Sequence, residues 1–314
     1  HIKDAACVQK QAAMVASKRR LRTLKRQKNS RDDGHVSVIT RVTGNLASAI
    51  DTTNSQIKSP HVFETDALDH AETERRAYCH VAPVLKLLAE KLALKPKDLK
   101  IWDPYFCKGT VVRHLAEVGF YKVRNLNEDF YKVQQVGLPD YEVLLTNPPY
   151  SSNHLERCLE FCVKSAKPCL LLLPFWVAKK PYFSCVLGDR VDSVFFIAPL
   201  QRYQYTMPSD LVPDSCKPSW VGKDGQTSPF QSCWYVYLPP SFNFTKFFEA
   251  LKCRMGKFGP FDCVVAKRLQ AVKWKLKKAS AETRQKDEIK DQDNRKRKHV
   301  GGKQLRPQKR PAVP

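Results

Sequence analysis

The chain has 314 residues, with 54 Lys or Arg against 31 Asp or Glu and a net charge of +23. That length buries a full core, as one domain of roughly 200 to 250 residues with appendages or as two small domains. Eleven cysteines without a CxxC pair argue against a disulfide framework or structural zinc, and no apolar run reaches the roughly 20 residues of a membrane-spanning helix, so a soluble protein of a reducing intracellular compartment is expected.

Residues 1–60 hold 12 Lys or Arg against 4 acids, a net of +8. Stretches such as SKRRLRTLKRQKNSR (17–31) carry few apolar residues and no core-facing period, which predicts a basic disordered tail. Residues 61–251 hold 22 against 21 and are neutral, and 61–250 reads as one domain. ERRAYCHVAPVLKLLAEKL (74–92) has apolar residues at helical spacing, with Pro83 placed near a helix start. LKIWDPYF (99–106) reads as a short strand, followed by Gly109 and a helical TVVRHLAEVGF (110–120). YKVRNLNEDF (121–130) and DYEVLLTNPPY (140–150) read as further strands, then a helix over 152–166 and the strand PCLLLLPF (168–175). VDSVFFIAPL (191–200) and QSCWYVYLPP (231–240) read as two late strands, separated by a long loop, 201–229, of a length often tied to function. Residues 251–278 read as a basic helical extension broken around Gly259 and Pro260. There Trp274 among lysines suits nucleic acid, while Val265, Leu269 and Val272 suit packing. Residues 252–314 hold 20 Lys or Arg against 6 acids, and 279–314 reads as a second basic disordered tail.

Near-continuous apolar strands separated by helices predict a doubly wound α/β sheet covered on both faces, with ligands beyond the carboxyl ends of the strands. Asp103 and Asn147 both fall at such ends, 44 residues apart. The eight histidines form no HxxxH or HxH cluster, and no metal site is expected. His114 and His154 are assigned to helix surfaces, Cys158 and Cys162 to core-facing positions.

DPYFCKGT (103–110) followed by LLTNPPYS (144–151) resembles class I S-adenosyl-L-methionine-dependent methyltransferases, and more narrowly the amino-methylating branch marked by (D/N)PP(Y/F). Upstream, DHAETERRAY (69–78) resembles the segment that closes over the cofactor's methionine end in phage-type adenine-N6 methyltransferases. There a Thr, usually followed by Pro, precedes the first strand; here Thr73 is followed by Glu74. IAPLQRYQYTMP (197–208) with SPFQSCWYVYL (228–238) is similar to that branch's last hairpin. The resemblance covers about residues 60–240 and implies a Rossmann-like sheet, mostly parallel with a late antiparallel hairpin.

It also implies site residues. Asp103, followed by Pro104, matches the acid that holds the cofactor's amino group, and Gly109 is what remains of a glycine-rich loop whose other positions are Cys107 and Lys108. Two βα units normally separate the first and fourth strands; the 44 residues here leave one missing or collapsed, at an edge of the sheet. VRNLNEDFY (123–131) then covers both roles, with either Glu128 or Asp129 on the ribose hydroxyls or the adenine amine and Phe130 against the ring.

The NPPY residue types suit methylation of an exocyclic amine, whose lone pair is delocalised into its ring. Acceptors aimed at both amine hydrogens favour a pyramidal nitrogen, and the Asn147 side-chain oxygen and Pro148 carbonyl are such acceptors. Pro148 and Pro149 lack N–H groups and fix the backbone, and Tyr150 offers a ring on which a base can stack. The expected function is N6 methylation of adenine in nucleic acid, RNA ahead of DNA, with the basic tails on phosphates. A protein glutamine or lysine methyltransferase and a non-catalytic basic RNA-binding protein on a decayed scaffold are the alternatives. RKRKH (295–299) and RPQKRP (306–311) predict a nuclear or nucleolar address; the basic, acid-poor stretch after Met14 would alternatively suit mitochondria.

Overall fold

The computed structural model describes residues 69–207, 230–257 and 262–301. The tail assigned to 1–60 and most of the 201–229 loop lie outside them. In chain order the elements are β1 (Glu72–Thr73), α1 (Arg75–Lys91), β2 (Lys100–Trp102), α2 (Thr110–Glu117), β3 (Lys122–Arg124), α3 (Phe130–Val136), β4 (Val143–Thr146) and α4 (His154–Ser165). They continue with β5 (Cys169–Pro174), α5 (Pro181–Leu187), β6 (Val194–Pro199), β7 (Tyr205–Thr206), β8 (Ser232–Tyr237), α6 (Phe244–Lys257), β9 (Cys263–Ala266) and α7 (Leu269–Gly301).

Among the described residues, seven strands form one sheet in the order β3-β2-β4-β5-β8-β6-β9, and β1 pairs with β7 as a separate ribbon. β3, β2, β4 and β5 are parallel; β8 runs reversed between β5 and β6, and β9 runs reversed against β6. The fold is therefore α/β with a mixed, mostly parallel sheet. β5, β6 and β8 are buried at every position, as the unbroken apolar runs require of strands covered on both sides. One face packs on α1, α2 and α6 through residues such as Leu85, Leu115 and Phe247. The other packs on α4, α5 and α7 through Cys158, Phe183 and Val272. Cys158 and Cys162 are core residues, as their spacing on α4 predicts.

Between β2 and β4 the chain fits α2, β3 and the seven-residue α3, with no further strand, and β3 is the sheet edge. This is the reduction that the short spacing predicts.

Several expectations are corrected. Pro83 lies well inside α1 rather than near its start. The helix absorbs the lost N–H because Val81, Ala82, Val84 and Leu85 around it are all buried. The run read as one broken helix from 251 to 278 contains a strand, β9, whose Val264 and Val265 register against Ala198 and Ile197 of β6. Asp262, just before β9, accepts from His80 of α1 at 2.6 Å and from Arg76 at 2.9 Å, and the other nitrogen of His80 meets Tyr203 OH at 2.7 Å. The extension is thus part of the domain. α7 continues to Gly301, past residue 278 where order was expected to end. Its Ala, Glu, Gln, Lys and Arg content favours helix without needing an apolar face, and Lys278–Glu282 adds an i,i+4 pair.

Candidate active site

The parallel strands β2, β3 and β4 end at the same edge of the sheet, and each end delivers a polar side chain. Asp103 follows β2, Asn125 follows β3 and Asn147 follows β4.

Asp103 is 6% exposed, behind a buried Pro104. Its N–H donates to Arg124 O at 2.9 Å, and its Oδ1 accepts from Thr146 Oγ1 at 2.6 Å and Tyr105 N at 3.2 Å. Burial outweighs these donors and pushes the carboxyl up to about 7, with the Glu72 charge adding to the shift. Asn125 is 7% exposed. Its Nδ2 donates to Asp103 O at 3.1 Å and Tyr105 O at 3.4 Å, while its Oδ1 has no partner among the described residues. That oxygen would lie 3.7 Å from a Cβ on Gly109, whose φ of +79° is the left-handed conformation that favours glycine. A buried acceptor without a donor is costly, so a hydrogen-bonding ligand here would repair a defect. Nothing in the sequence marked Asn125, an ordinary strand-end amide.

Asn147 is clamped on both sides. Its Nδ2 donates to Thr73 Oγ1 at 3.2 Å, and its Oδ1 accepts from Tyr150 OH at 2.9 Å, with Leu172 O also within 3.2 Å of that hydroxyl. Burial raises the Tyr150 phenol well above its ordinary value, so it stays a donor. Pro148 is buried and Pro149 half-buried. The Tyr150 ring meets Phe230 edge-on at 6.4 Å, Phe230 meets Trp176 at 6.2 Å, and the Lys180 ammonium stands 5.2 Å from the Trp176 ring centre. Phe230 is 41% exposed. This aromatic wall follows from the register of β5 with β8, which places Trp176 and Phe230 at the same edge. Its sequence signal was FWVAKK after the apolar run, read only as the end of that run.

A strap over residues 69–73 crosses this edge. Asp69 accepts from Ser151 Oγ, Glu72 accepts from Lys108 N at 2.6 Å and from Thr110 Oγ1, and Thr73 receives Asn147. The strap therefore touches the loop after β2 and the turn after β4 at once.

The stretch after β3 departs from expectation. Phe130 is 3% exposed and packs edge-on against Trp102 and Phe161, so its ring is spent on the core rather than offered to a ligand. Asp129 caps α3, its Oδ1 accepting from Tyr131 N at 2.8 Å and Lys132 N at 3.4 Å. Glu128 pairs with Arg124 at 2.7 Å and keeps a side chain 40% exposed, which makes it the more available of the two acids. His154, assigned to a helix surface, instead bonds Tyr131 OH through Nδ1.

Asp103, Asn125, Gly109, Thr73 and the NPPY turn thus lie at one edge of the sheet, linked in part by hydrogen bonds. Comparisons with protein-family models and with curated proteins found no match. No helix among the described residues is long and apolar enough to cross a membrane.

Proposed function

We propose that the chain is an S-adenosylmethionine-dependent N-methyltransferase acting on N6 of adenine in nucleic acid, RNA ahead of DNA. The observation that carries this is adjacency: the Asn147–Tyr150 turn follows β4, one strand from Asp103 and two from Asn125, and Thr146 at the end of β4 donates to Asp103. The class I assignment is supported by the reversed β8 between β5 and β6, while the shortened edge beyond β2 departs from the usual two units.

The residues present fit the cofactor. Asp103 and the unpartnered Asn125 Oδ1 would receive its ammonium, Gly109 lets its amino-acid part approach the backbone, and Glu128 would accept from the ribose hydroxyls. The bound cofactor supplies a methyl group on a sulfonium. Asn147 Oδ1 has a second lone pair beside the one used by Tyr150, and with the Pro148 carbonyl it would accept the two hydrogens of the adenine amine. Held by these two acceptors, the amine nitrogen would be oriented with its lone pair toward that methyl group, and its surplus proton would leave to solvent. Such a site acts by orientation and electrostatics. Tyr150, Phe230 and Trp176 would hold a flipped base, and the basic chain ends would hold phosphates. A nuclear or nucleolar site of action accords with the basic C-terminal clusters.

A second reading, a non-catalytic nucleic-acid-binding protein on this scaffold, is favoured by the Glu72 carboxylate seated on the loop after β2. The deciding experiment incubates the protein and labelled cofactor separately with cellular RNA, DNA and protein, then digests each fraction. Label in N6-methyladenosine supports the proposal, label in glutamine or lysine overturns its substrate, and no cofactor binding leaves the scaffold.

A further inference from the structure

The groups around Gly109 divide into donors and acceptors. The donors are the Lys108 N–H and the Thr110 hydroxyl at the amino end of the eight-residue α2, where the helix dipole favours negative charge. Both are taken by Glu72. The acceptors are the Asp103 carboxyl and Asn125 Oδ1, and the latter, on a side chain 7% exposed, has no partner among the described residues. Donors for an anion and acceptors for a cation on one short loop are complementary to an α-amino acid, whose carboxylate and ammonium are held apart by a single carbon.

Resting on the methyltransferase reading, we propose that Glu72 competes with the cofactor's carboxylate for the Lys108 N–H and the Thr110 hydroxyl. Cofactor entry and Glu72 withdrawal are then one exchange: an incoming carboxylate takes the Lys108 N–H and the Thr110 hydroxyl while the ammonium takes Asn125 Oδ1 and Asp103. Withdrawal has two further effects. It removes a negative charge whose presence raises Asp103, so Asp103 ionises more readily as the ammonium arrives. It also moves the residue next to Thr73, which receives Asn147 Nδ2, so filling of the loop is transmitted to the amide that faces the substrate amine.

The test compares wild type with Glu72→Gln and Glu72→Ala by calorimetric titration, using S-adenosylhomocysteine and 5′-methylthioadenosine. The second nucleoside lacks the amino-acid group and reports on the rest of the pocket. Both variants are expected to bind S-adenosylhomocysteine on the order of tenfold more tightly than wild type, as when one charge-assisted contact no longer competes. Binding of 5′-methylthioadenosine should be unchanged. Equal or weaker S-adenosylhomocysteine binding by both variants, with 5′-methylthioadenosine still bound, overturns the exchange and leaves the methyltransferase reading standing. Folded protein that binds neither nucleoside in any variant overturns the methyltransferase reading, and the exchange with it.

Discussion

Asn147 and Tyr150 act as a unit, because the phenol donates to the amide oxygen that would face the substrate. Tyr150→Phe is therefore expected to lower kcat about 3- to 10-fold, the scale of one neutral hydrogen bond, with KM for nucleic acid little changed. Tyr150→Ala should cost a further 10- to 100-fold in kcat/KM from lost stacking, on the order of 1–3 kcal/mol per base. Single-turnover methylation of an RNA fraction checks both; equal activity of Tyr150→Phe and wild type would remove the hydroxyl from the mechanism. Asp103 makes a prediction about stability. Its carboxyl titrates near 7 when folded and near the ordinary 3.8 when unfolded. Stability from this group is greatest below pH 4, falls as pH rises to about 7, and is then constant. Asp103→Asn keeps an acceptor for Thr146 and removes that loss, so it should raise the melting temperature at pH 8 and have little effect near pH 4. An equal difference at both pH values would mean that Asp103 is not buried as described. The sequence placed Asp103 and Asn147 correctly at strand ends because strand-terminating Asp-Pro and Asn-Pro-Pro interrupt apolar runs. Asn125 went unmarked and the burial of Phe130 unforeseen for the opposite reason: an amide and an aromatic ring carry no mark that tells a surface position from a core.

At the scale of elements, β4, β5, β6 and β8 announced themselves by their apolar runs, and the missing edge unit by simple spacing, whereas β1, β3 and β7 are two or three residues long and carry no such run. β9 was hidden because four residues, Cys263–Ala266, sit between two basic helices and read as part of their apolar stripe. It nevertheless closes the sheet beside β6, and Val272 and Leu276 of α7 are buried beneath it. Truncation after residue 278 should leave a cooperative melting transition close to that of the full chain. Truncation after 261 strips β9 and α7, exposes the β6 edge and should abolish that transition or cause aggregation. Thermal unfolding of the two truncations checks this, and a stable 1–261 fragment would show β9 to be an accessory.

The whole molecule joins a neutral core to strongly basic ends, and the charge predicts its salt response. Without residues 1–60 and 279–314 the core should still bind cofactor but lose most nucleic-acid affinity. Binding by the full chain should fall steeply between 50 and 200 mM salt, by about 10³ or more if six or more phosphates are neutralised. A core that binds as well as the full chain would confine the ends to targeting. The course of α7 gives this charge a geometry. Its first turns are anchored by Val272 and Leu276, and the 25 residues beyond Leu276 extend about 37 Å as continuous helix. An unstructured tail would spread its charge through a cloud, whereas a helix from Leu269 to Gly301 strings this part of the sequence along one axis. Phosphates of a bound strand would then be met along a line rather than from all sides.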